Sequence, residues 1–216
     1  GDHRDLHYPL RRQRQMCIRD RILGGSDERR KFMDGVISQY NQTYLDDLLK
    51  YNRALMQRNN LLKQFASDRY FDEELLGIWD DQLVEYGTRI HEERTRFVEK
   101  LIPVFQRYYN YISGGNEVVE LVHQSDLYES DLESLIKAAL QKDRVVQYTT
   151  VGIHKDDLQL KIGDYLIKKL GSQGQKKTYL VALKLAQFEF IKEISGINPI
   201  LLLDDIFDKL DQHRVE

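Results

Sequence analysis

The sequence predicts a mixed α/β protein in which two long antiparallel helices precede a lobe that combines strands and helices. Apolar residues recur at spacings of three and four over 42–65 and again over 72–112, which is the heptad-like pattern of packed helices. After Gly114-Gly115-Asn116 the pattern changes to short strand-like runs separated by turns. One run, 199–203, is almost wholly aliphatic and ends at Asp204 and Asp205.

Length and composition predict a globular protein with a sizeable core. The chain has 216 residues, of which 41% are apolar. No window holds the roughly 18 uncharged apolar residues that a membrane helix needs, and no secretory signal is visible. The single cysteine, Cys17, excludes an internal disulfide and a cysteine-rich zinc site. We therefore expect a soluble cytoplasmic protein with no membrane partner.

The first 21 residues differ in charge from the rest of the chain. They hold six arginines against three aspartates, a net charge of +3, while the remainder holds 26 basic and 32 acidic residues, a net charge of -6. They show no helical or strand periodicity, and 16–21 (MCIRDR) resembles translated sequencing-adapter sequence. We interpret residues 1–21 as foreign or disordered. The alternative is a basic arm that binds phosphate backbones.

Residues 22–112 are predicted to form a helical arm. A first helix is expected after Ser26, a good N-cap residue that is followed by acidic residues in the first turn. The second and third helices, about 42–65 and 72–112, are joined by a short polar break, which predicts that they pack as antiparallel neighbours. Pro103 lies inside the third helix and predicts a kink. The seam of the third helix is predicted to continue through Val104, Tyr108 and Tyr111.

Residues 113–216 are predicted to form a carboxyl-terminal lobe. Ser130 is expected to cap a helix that runs to about residue 141, in a capping box with Glu133. Strands are expected over 117–122, 145–151, 158–162 and 165–170, with a hairpin turn at Gly163-Asp164. A longer helix is expected over about 175–194, before the aliphatic strand that ends at Asp204.

The candidate binding loop of this lobe is Ser172-Gln173-Gly174-Gln175, which lies directly before the longer helix. A serine hydroxyl, a glycine amide and the unsatisfied N–H groups of a helix start together form an anion receptor. An ordinary serine-capped helix start is the alternative. The stretch 171–178 (GSQGQKKT) is not a P-loop, because Lys176 stands where the motif requires glycine. No other stretch satisfies the P-loop pattern, so the sequence contains no Walker A motif.

The order of these pieces resembles the carboxyl-terminal half of an ABC-type P-loop NTPase head. A signature-like loop is followed by a helix of about five turns, a strand of Walker B type and a Leu210-Asp211 loop. Over 22–216 the chain also resembles the RecF family of bacterial recombination and gap-repair proteins. The residues that carry this resemblance are 24–32, 51–55, 57–63, 152–157, the 172–175 loop and 201–211.

The resemblance implies an SMC-like ATPase head that dimerises around ATP and binds DNA, acting with RecR and RecO to load RecA at single-strand gaps. It implies that Ser172 and Gly174 contact the γ-phosphate of ATP held by the opposite subunit, with Gln173 and Gln175 in the same loop. Asp204 would hold Mg²⁺ through water, and Asp205 would orient or activate the attacking water.

The same resemblance assigns roles to two further groups of residues. Asp208, Leu210 and Asp211 would form the loop that meets the partner subunit. Arg29, Arg30 and Lys31 are candidate contacts to DNA phosphates, with a solvated basic helix face as the alternative.

The sequence departs from the family pattern in two places. Asp205 stands where ABC heads generally carry glutamate, which implies slow hydrolysis and ATP used as a clamp. The family's Gly-Pro-His-Arg-Asp-Asp motif appears with Ile153 and Lys155 in place of proline and arginine. Lysine lacks the bidentate fork of arginine, and His154 is interpreted as a structural histidine or, alternatively, as a nucleotide contact.

Without a Walker A lobe, the chain alone is expected neither to bind ATP tightly nor to hydrolyse it, while the intact dimer is expected to be a weak ATPase. Two alternatives stay open from the sequence. One is a coiled-coil scaffold whose α/β half docks a protein partner. The other is a different SMC-related ATPase head.

Overall fold

The computed structural model describes residues 24–196, and the predicted mixed α/β fold class is confirmed. Most of this part is helical, with a small three-stranded sheet. The elements in chain order are α1 (Ser26–Tyr40), α2 (Gln42–Asp68), α3 (Glu73–Ser113), β1 (Val119–Gln124), α4 (Leu132–Val146), β2 (Asp157–Ile162), β3 (Tyr165–Leu166), α5 (Ile167–Leu170) and α6 (Gln173–Ser195). None of the helices within 24–196 is apolar over a length that spans a membrane.

Helices α2 and α3 pack as antiparallel neighbours, as the short break between them predicts. Tyr44 near the start of α2 lies beside Arg94, with 3.2 Å between the hydroxyl oxygen and Nε. Arg58, further along α2, contacts Asp80, and the end of α2 packs against Leu76. Residue numbers therefore rise along one helix as they fall along the other, which is the signature of an antiparallel pair.

The seams of both long helices are confirmed in spacing but not in every position. On α3 the buried residues after Leu101 are Phe105 and Tyr109, and the predicted Tyr111 is 83% exposed. A helix of 3.6 residues per turn drifts by about 20° per heptad from a strict 3.5-residue repeat. The seam of α3 therefore moves by one residue after Leu101. The helix itself continues through Pro103 without a break.

The small sheet has the strand order β1-β2-β3. Strands β2 and β3 are antiparallel, with Ile162 opposite Tyr165. Gly163 forms the left-handed turn between them at φ +53°, and its N–H donates to the carbonyl of Val118 at 2.8 Å. The expected strand 165–170 is confirmed only for its first two residues, because the chain turns at Ile167 into the short helix α5.

Two local predictions are wrong. The residue that caps α4 is Asp131, not Ser130, because the Asp131 carboxylate accepts the Ser134 N–H at 2.9 Å. The strand expected over 145–151 does not form. Instead α4 continues to Val146 and ends at Gln147 in the left-handed conformation, and the N–H groups of Thr149 and Thr150 then donate to the side chains of Asn59 on α2 and Asp143 on α4.

The described chain forms two compact units. The arm unit holds 34–99 and 123–157, and the lobe unit holds 24–33, 100–122 and 158–196. The sequence divides the chain at residue 113 instead. The difference arises because 123–157 is tied to α2 and α3 by buried polar contacts, such as that of Arg94 with Asp156 at 2.9 Å. The functional division into arm and lobe at residue 113 stays a prediction.

Candidate nucleotide-sensing loop and its supports

The start of α6, in the lobe unit, is closed by a reciprocal capping box. The Ser172 hydroxyl oxygen accepts the Gln175 N–H at 3.1 Å, and the Gln175 side-chain oxygen accepts the Ser172 N–H at 2.8 Å. The carbonyl of Ser172 accepts the Lys176 N–H at 3.0 Å. Ser172 and Gln173 are exposed. The loop is therefore rigid in backbone and open to solvent on its outer side.

A carboxylate behind the loop fixes the orientation of the Gln175 amide. The amide nitrogen of Gln175 donates to Glu117 at 2.9 Å, so the amide oxygen is the atom that faces Ser172. Glu117 in turn accepts the hydroxyl of Tyr109, on α3, at 2.5 Å. Because an amide can bond in either of two flipped orientations, this chain of contacts selects the orientation that completes the capping box.

An aromatic cluster lies under the first turns of α6. Tyr179 is fully buried, its ring centre lies 4.6 Å from that of Phe105 and 5.7 Å from that of Tyr109, and its hydroxyl donates to the carbonyl of Glu120 at 2.7 Å. Burial raises the pKa of Tyr179 well above its usual range. The helix that carries the loop is thus seated on α3 and β1 by packing and by one buried hydrogen bond.

Gly171, immediately before the loop, is required by close packing. A Cβ placed there would lie 2.7 Å from both a side-chain carbon and the carbonyl oxygen of Ile167. The Gly171 N–H donates to that same carbonyl at 2.9 Å. The tight return of the chain from α5 therefore leaves no space for a side chain at this position.

This geometry suits anion binding. The Ser172 hydroxyl accepts one hydrogen bond inside the loop and keeps its proton to donate outward. The Gly174 N–H, in the first turn of α6, has no carbonyl one turn before it, and the positive end of the helix dipole points to the same place. Lys177 and Thr178 lie within α6, and Thr178 is buried, so this stretch does not wrap a phosphate as a P-loop does.

The remaining predicted site residues divide into two groups. Arg30 and Lys31 pair with Asp27 and Glu28, one turn before them on α1, and Arg29 donates to the carbonyl of Gly24 at 2.9 Å. The predicted Asp204, Asp205, Asp208, Leu210 and Asp211 lie outside the described residues. Within 24–196, no group of three or more histidine, cysteine or acidic side chains is arranged to hold a metal ion.

The arm unit contains a buried cation that the seam pattern did not predict. Arg94, on α3, donates to Asp34 at 2.9 Å, to Asp156 at 2.9 Å and to the carbonyl of Ile153 at 2.8 Å. Burial alone would raise the pKa of Asp156, but the adjacent His123, whose Nε2 lies 3.5 Å from the Asp156 carboxylate, and the charge of Arg94 outweigh it and hold that pKa below its usual value.

A second buried cation, Arg58 on α2, makes a matching set of contacts. It donates to Asp80 at 2.5 Å, to Asp143 at 2.6 Å and to the hydroxyl of Thr149 at 2.9 Å. The neighbouring Asn59 accepts both the N–H and the hydroxyl of Thr149, at 2.7 and 2.8 Å. Burial raises the pKa of Asp80 in spite of the opposing charge of Arg58.

These contacts fix the segment 149–156, which contains Gly152, Ile153, His154 and Lys155. The His154 ring donates through Nε2 to the carbonyl of Thr149 at 3.1 Å, so its Nδ1 accepts the Tyr51 hydroxyl at 2.9 Å. Gly152 has φ +114°, and a Cβ there would lie 2.7 Å from the Tyr51 oxygen. His154 is thus engaged on both ring nitrogens, which favours the structural interpretation of this residue.

The chain is similar to known proteins in sequence and in structure. No protein-family model matches it. It is 53% identical over 197 residues to the DNA replication and repair protein RecF of Flavobacterium johnsoniae, covering 91% of this chain and 55% of that protein. It is 52% identical over 196 residues to the protein of the same name from Phocaeicola vulgatus, covering 90% of this chain and 52% of that protein.

A solved structure described as the recombination mediator protein RecF with ATP, in the RecFOR pathway, is similar in fold. The TM-score is 0.82 at 35% identity, over 91% of this chain and 55% of that one. The chain belongs to the RecF family. It spans about half the length of the RecF proteins that it matches. The RecF likeness supports an ATPase-head fold and does not favour the scaffold alternative.

The buried arginines of this RecF-family chain were missed in the sequence, although a signal for them was present. In α2 the buried positions Tyr51, Ala54, Arg58 and Leu62 follow one another at spacings of three and four, so Arg58 occupies a position of the seam. In α3 the gap between Ile90 and Phe97 is filled by Arg94. A charged residue at a position where the seam requires a buried one indicates a buried ion pair, because such a residue is almost never buried unless it is paired.

Proposed function

We propose that this chain belongs to an ATP-dependent DNA-binding protein of recombinational gap repair and replication restart, in which two subunits close around ATP. The observation that carries the proposal is the Ser172–Gln175 capping box, held in one orientation by Glu117. A rigid, solvent-facing helix start is suited to read the γ-phosphate of a nucleotide held by another subunit. The names of the similar proteins, which specify repair and ATP, support the same function.

In this proposal the loop acts as a sensor and not as the primary nucleotide site. The Ser172 hydroxyl and the Gly174 N–H each donate a hydrogen bond to the γ-phosphate across the dimer interface. Gln173 and Gln175 complete the loop. The negatively charged γ-phosphate of ATP is then contacted by both subunits. Because these contacts form only when both subunits are present, bound ATP favours the dimer over the monomer.

Asp204 and Asp205, at the end of the strand predicted from the sequence, are proposed to hold the metal and to orient the attacking water. Carboxylate oxygens are the protein ligands that Mg²⁺ prefers, so Asp204 is proposed to hold Mg²⁺ through water. Asp205 is proposed to orient the attacking water, with the shorter aspartate side chain giving weak ATPase activity in the intact dimer. Asp208, Leu210 and Asp211 are proposed to contact the partner subunit.

The proposed partners are DNA, RecR and RecO, with a cytoplasmic location. Support comes from the printed description of the similar ATP-bound structure, which places that protein in the RecFOR pathway. Arg29, Arg30 and Lys31 are proposed as phosphate contacts. Arg30 and Lys31 have to exchange their ion pairs with the first turn of α1 for pairs with phosphate, which makes each contribution modest and dependent on salt.

The test is ATP-titrated sedimentation of the full-length gene product. Ser172→Arg places a long cation in the loop and is expected to abolish ATP-dependent dimerisation while the monomer still binds ATP. Ser195→Arg, at the other end of α6, is the matched control and is expected to dimerise normally. Unchanged dimerisation of Ser172→Arg refutes the role of the loop. A wild-type protein whose sedimentation does not change with ATP supports the scaffold alternative.

A further inference from the structure

A groove opens beside the turn between α2 and α3, within the arm unit. Its volume is about 380 Å³, and its lining includes Leu62, Phe65, Arg69, Phe71, Arg144 and Val145. The floor is continuous with the buried cluster of Leu62, Phe65 and Leu76. This size is at the lower end of ligand pockets and accommodates one large apolar side chain with its flanking backbone.

The charge of the lining is one-sided. The residues that line the groove include the guanidinium groups of Arg69 and Arg144 and no carboxylate. Neither arginine forms an ion pair within the described part of the chain, and both are exposed. The Arg144 guanidinium lies 4.1 Å from the ring centre of Phe71. An apolar floor bordered by two unpaired cations is complementary to an apolar side chain flanked by carboxylates.

Arg69 occupies a backbone position that favours another residue type. It ends α2 in the left-handed conformation, at φ 53°, where glycine is the usual residue because it has no Cβ. Gln147 is the other residue apart from glycine with positive φ among residues 24–196. The arginine side chain is therefore present at a conformational cost, which is explained if its charge has a use beside the groove.

The aromatic rings of the groove favour a peptide over a nucleic-acid base. Phe65 meets Phe71 edge to face, with ring centres 5.4 Å apart at 76°, and meets Tyr70 in the same way at 6.5 Å. One face of Phe71 is covered by Arg144. The rings thus form the wall of a pocket for a side chain and do not present a parallel face on which a base stacks.

We propose that this groove is a docking site for an acidic segment of a partner protein, one that inserts an aromatic or large aliphatic side chain between Arg69 and Arg144. The apolar side chain fills the groove over Leu62 and Phe65. Carboxylates on either side of it pair with the two guanidinium groups. The groove belongs to the arm unit and the Ser172–Gln175 loop to the lobe unit, and the proposal does not depend on the function proposed for that loop.

The test uses the full-length gene product and a fluorescein-labelled hexapeptide that alternates aspartate with phenylalanine. Fluorescence anisotropy is expected to show saturable binding with a dissociation constant below about 1 mM, as for a peptide held by one anchoring side chain. A peptide with lysine in place of aspartate is expected not to bind. Equal binding of the two peptides, or no binding of the acidic one, overturns the proposal. So does a labelled oligothymidine that binds in an Arg144-dependent manner while the peptide does not.

Two variants separate docking from folding. Arg144→Ala is expected to weaken peptide binding about tenfold, as one charge-assisted contact is lost. Lys142→Ala, which removes the same charge from the same helix outside the groove lining, is the matched control and is expected to leave binding unchanged. Arg69→Gly is expected to weaken binding while the melting temperature stays equal or rises. If Arg69→Gly and Arg144→Ala both bind as tightly as the wild type, the proposal is wrong.

Discussion

Replacement of Arg94 by methionine tests how the arm unit holds the segment 149–156. Arg94 is buried and pairs with Asp34 and Asp156, and it also satisfies the Ile153 carbonyl. Methionine keeps most of the packed volume but leaves two carboxylates without their cation. Removal of one partner from a buried ion pair costs about 3–5 kcal/mol. Because the free energy of unfolding of whole proteins is only about 5–15 kcal/mol, Arg94→Met is expected to lower it by a large fraction.

The assay is urea unfolding followed by circular dichroism at pH 7. Arg96→Met is the matched control, since Arg96 lies one half-turn away, its side chain is 60% exposed and its ion-pair partners among residues 24–196 are Glu92 and Glu93 on its own helix. That control is expected to change the free energy of unfolding by less than about 1 kcal/mol. Adding Asp156→Asn to Arg94→Met is expected to recover part of the loss, because it removes the unpaired charge. A loss below about 1 kcal/mol in Arg94→Met refutes the reasoning.

Three further outcomes are expected. Gly152→Ala should lower the free energy of unfolding by more than about 2 kcal/mol, since both φ +114° and the close Tyr51 oxygen oppose a Cβ; Gly163→Ala, in open space at φ +53°, should cost about 1 kcal/mol in the same urea assay. Glu117→Ala should weaken the proposed ATP-dependent dimerisation of the full-length protein about tenfold in sedimentation, while ATP binding by the monomer is retained. Equal loss of both would contradict a positioning role for Glu117. The pKa of Asp156 is lower in the folded state, so its stabilising contribution is present above about pH 4 and is lost as the pH falls through the folded pKa. The difference in unfolding free energy between the wild type and Asp156→Asn should therefore become smaller below about pH 4. A difference that does not change with pH would contradict this expectation.

The sequence was sufficient for features that depend on local periodicity and capping. The extents of α2, α3 and α6, the turn at Gly163 and the Ser172 cap all follow from patterns within a few residues of each position. It was insufficient where long-range contacts decide. The run at 145–151 is rich in β-branched residues, yet Thr149 and Thr150 bond to Asn59 and Asp143, so no strand forms there.

The candidate site shows the same division. The residue types and their order predicted an anion-binding loop at Ser172, with an ordinary serine-capped helix start as the alternative. The structure shows the serine cap, with Gln175 completing a capping box, and anion binding stays a prediction. Glu117 and Tyr109 were not predicted as its supports, since nothing in their own neighbourhood indicates that they reach Gln175, 58 residues away in the case of Glu117. The two buried arginines were detectable as interruptions of the seams, but their partners were not.

The long sequence separation of the contacts around 149–156 has a consequence for the order of folding. The Tyr51–His154 and Arg58–Thr149 contacts join residues 103 and 91 positions apart, whereas the α2–α3 hairpin closes through a turn of a few residues. Closing the longer loop has the higher entropic cost, so we expect the hairpin to form first and the segment to dock late. Changes within the segment are therefore expected to accelerate unfolding and to leave the folding rate nearly unaltered. The α2–α3 hairpin is therefore expected to be folded before the segment that holds Gly152 and His154 packs against it.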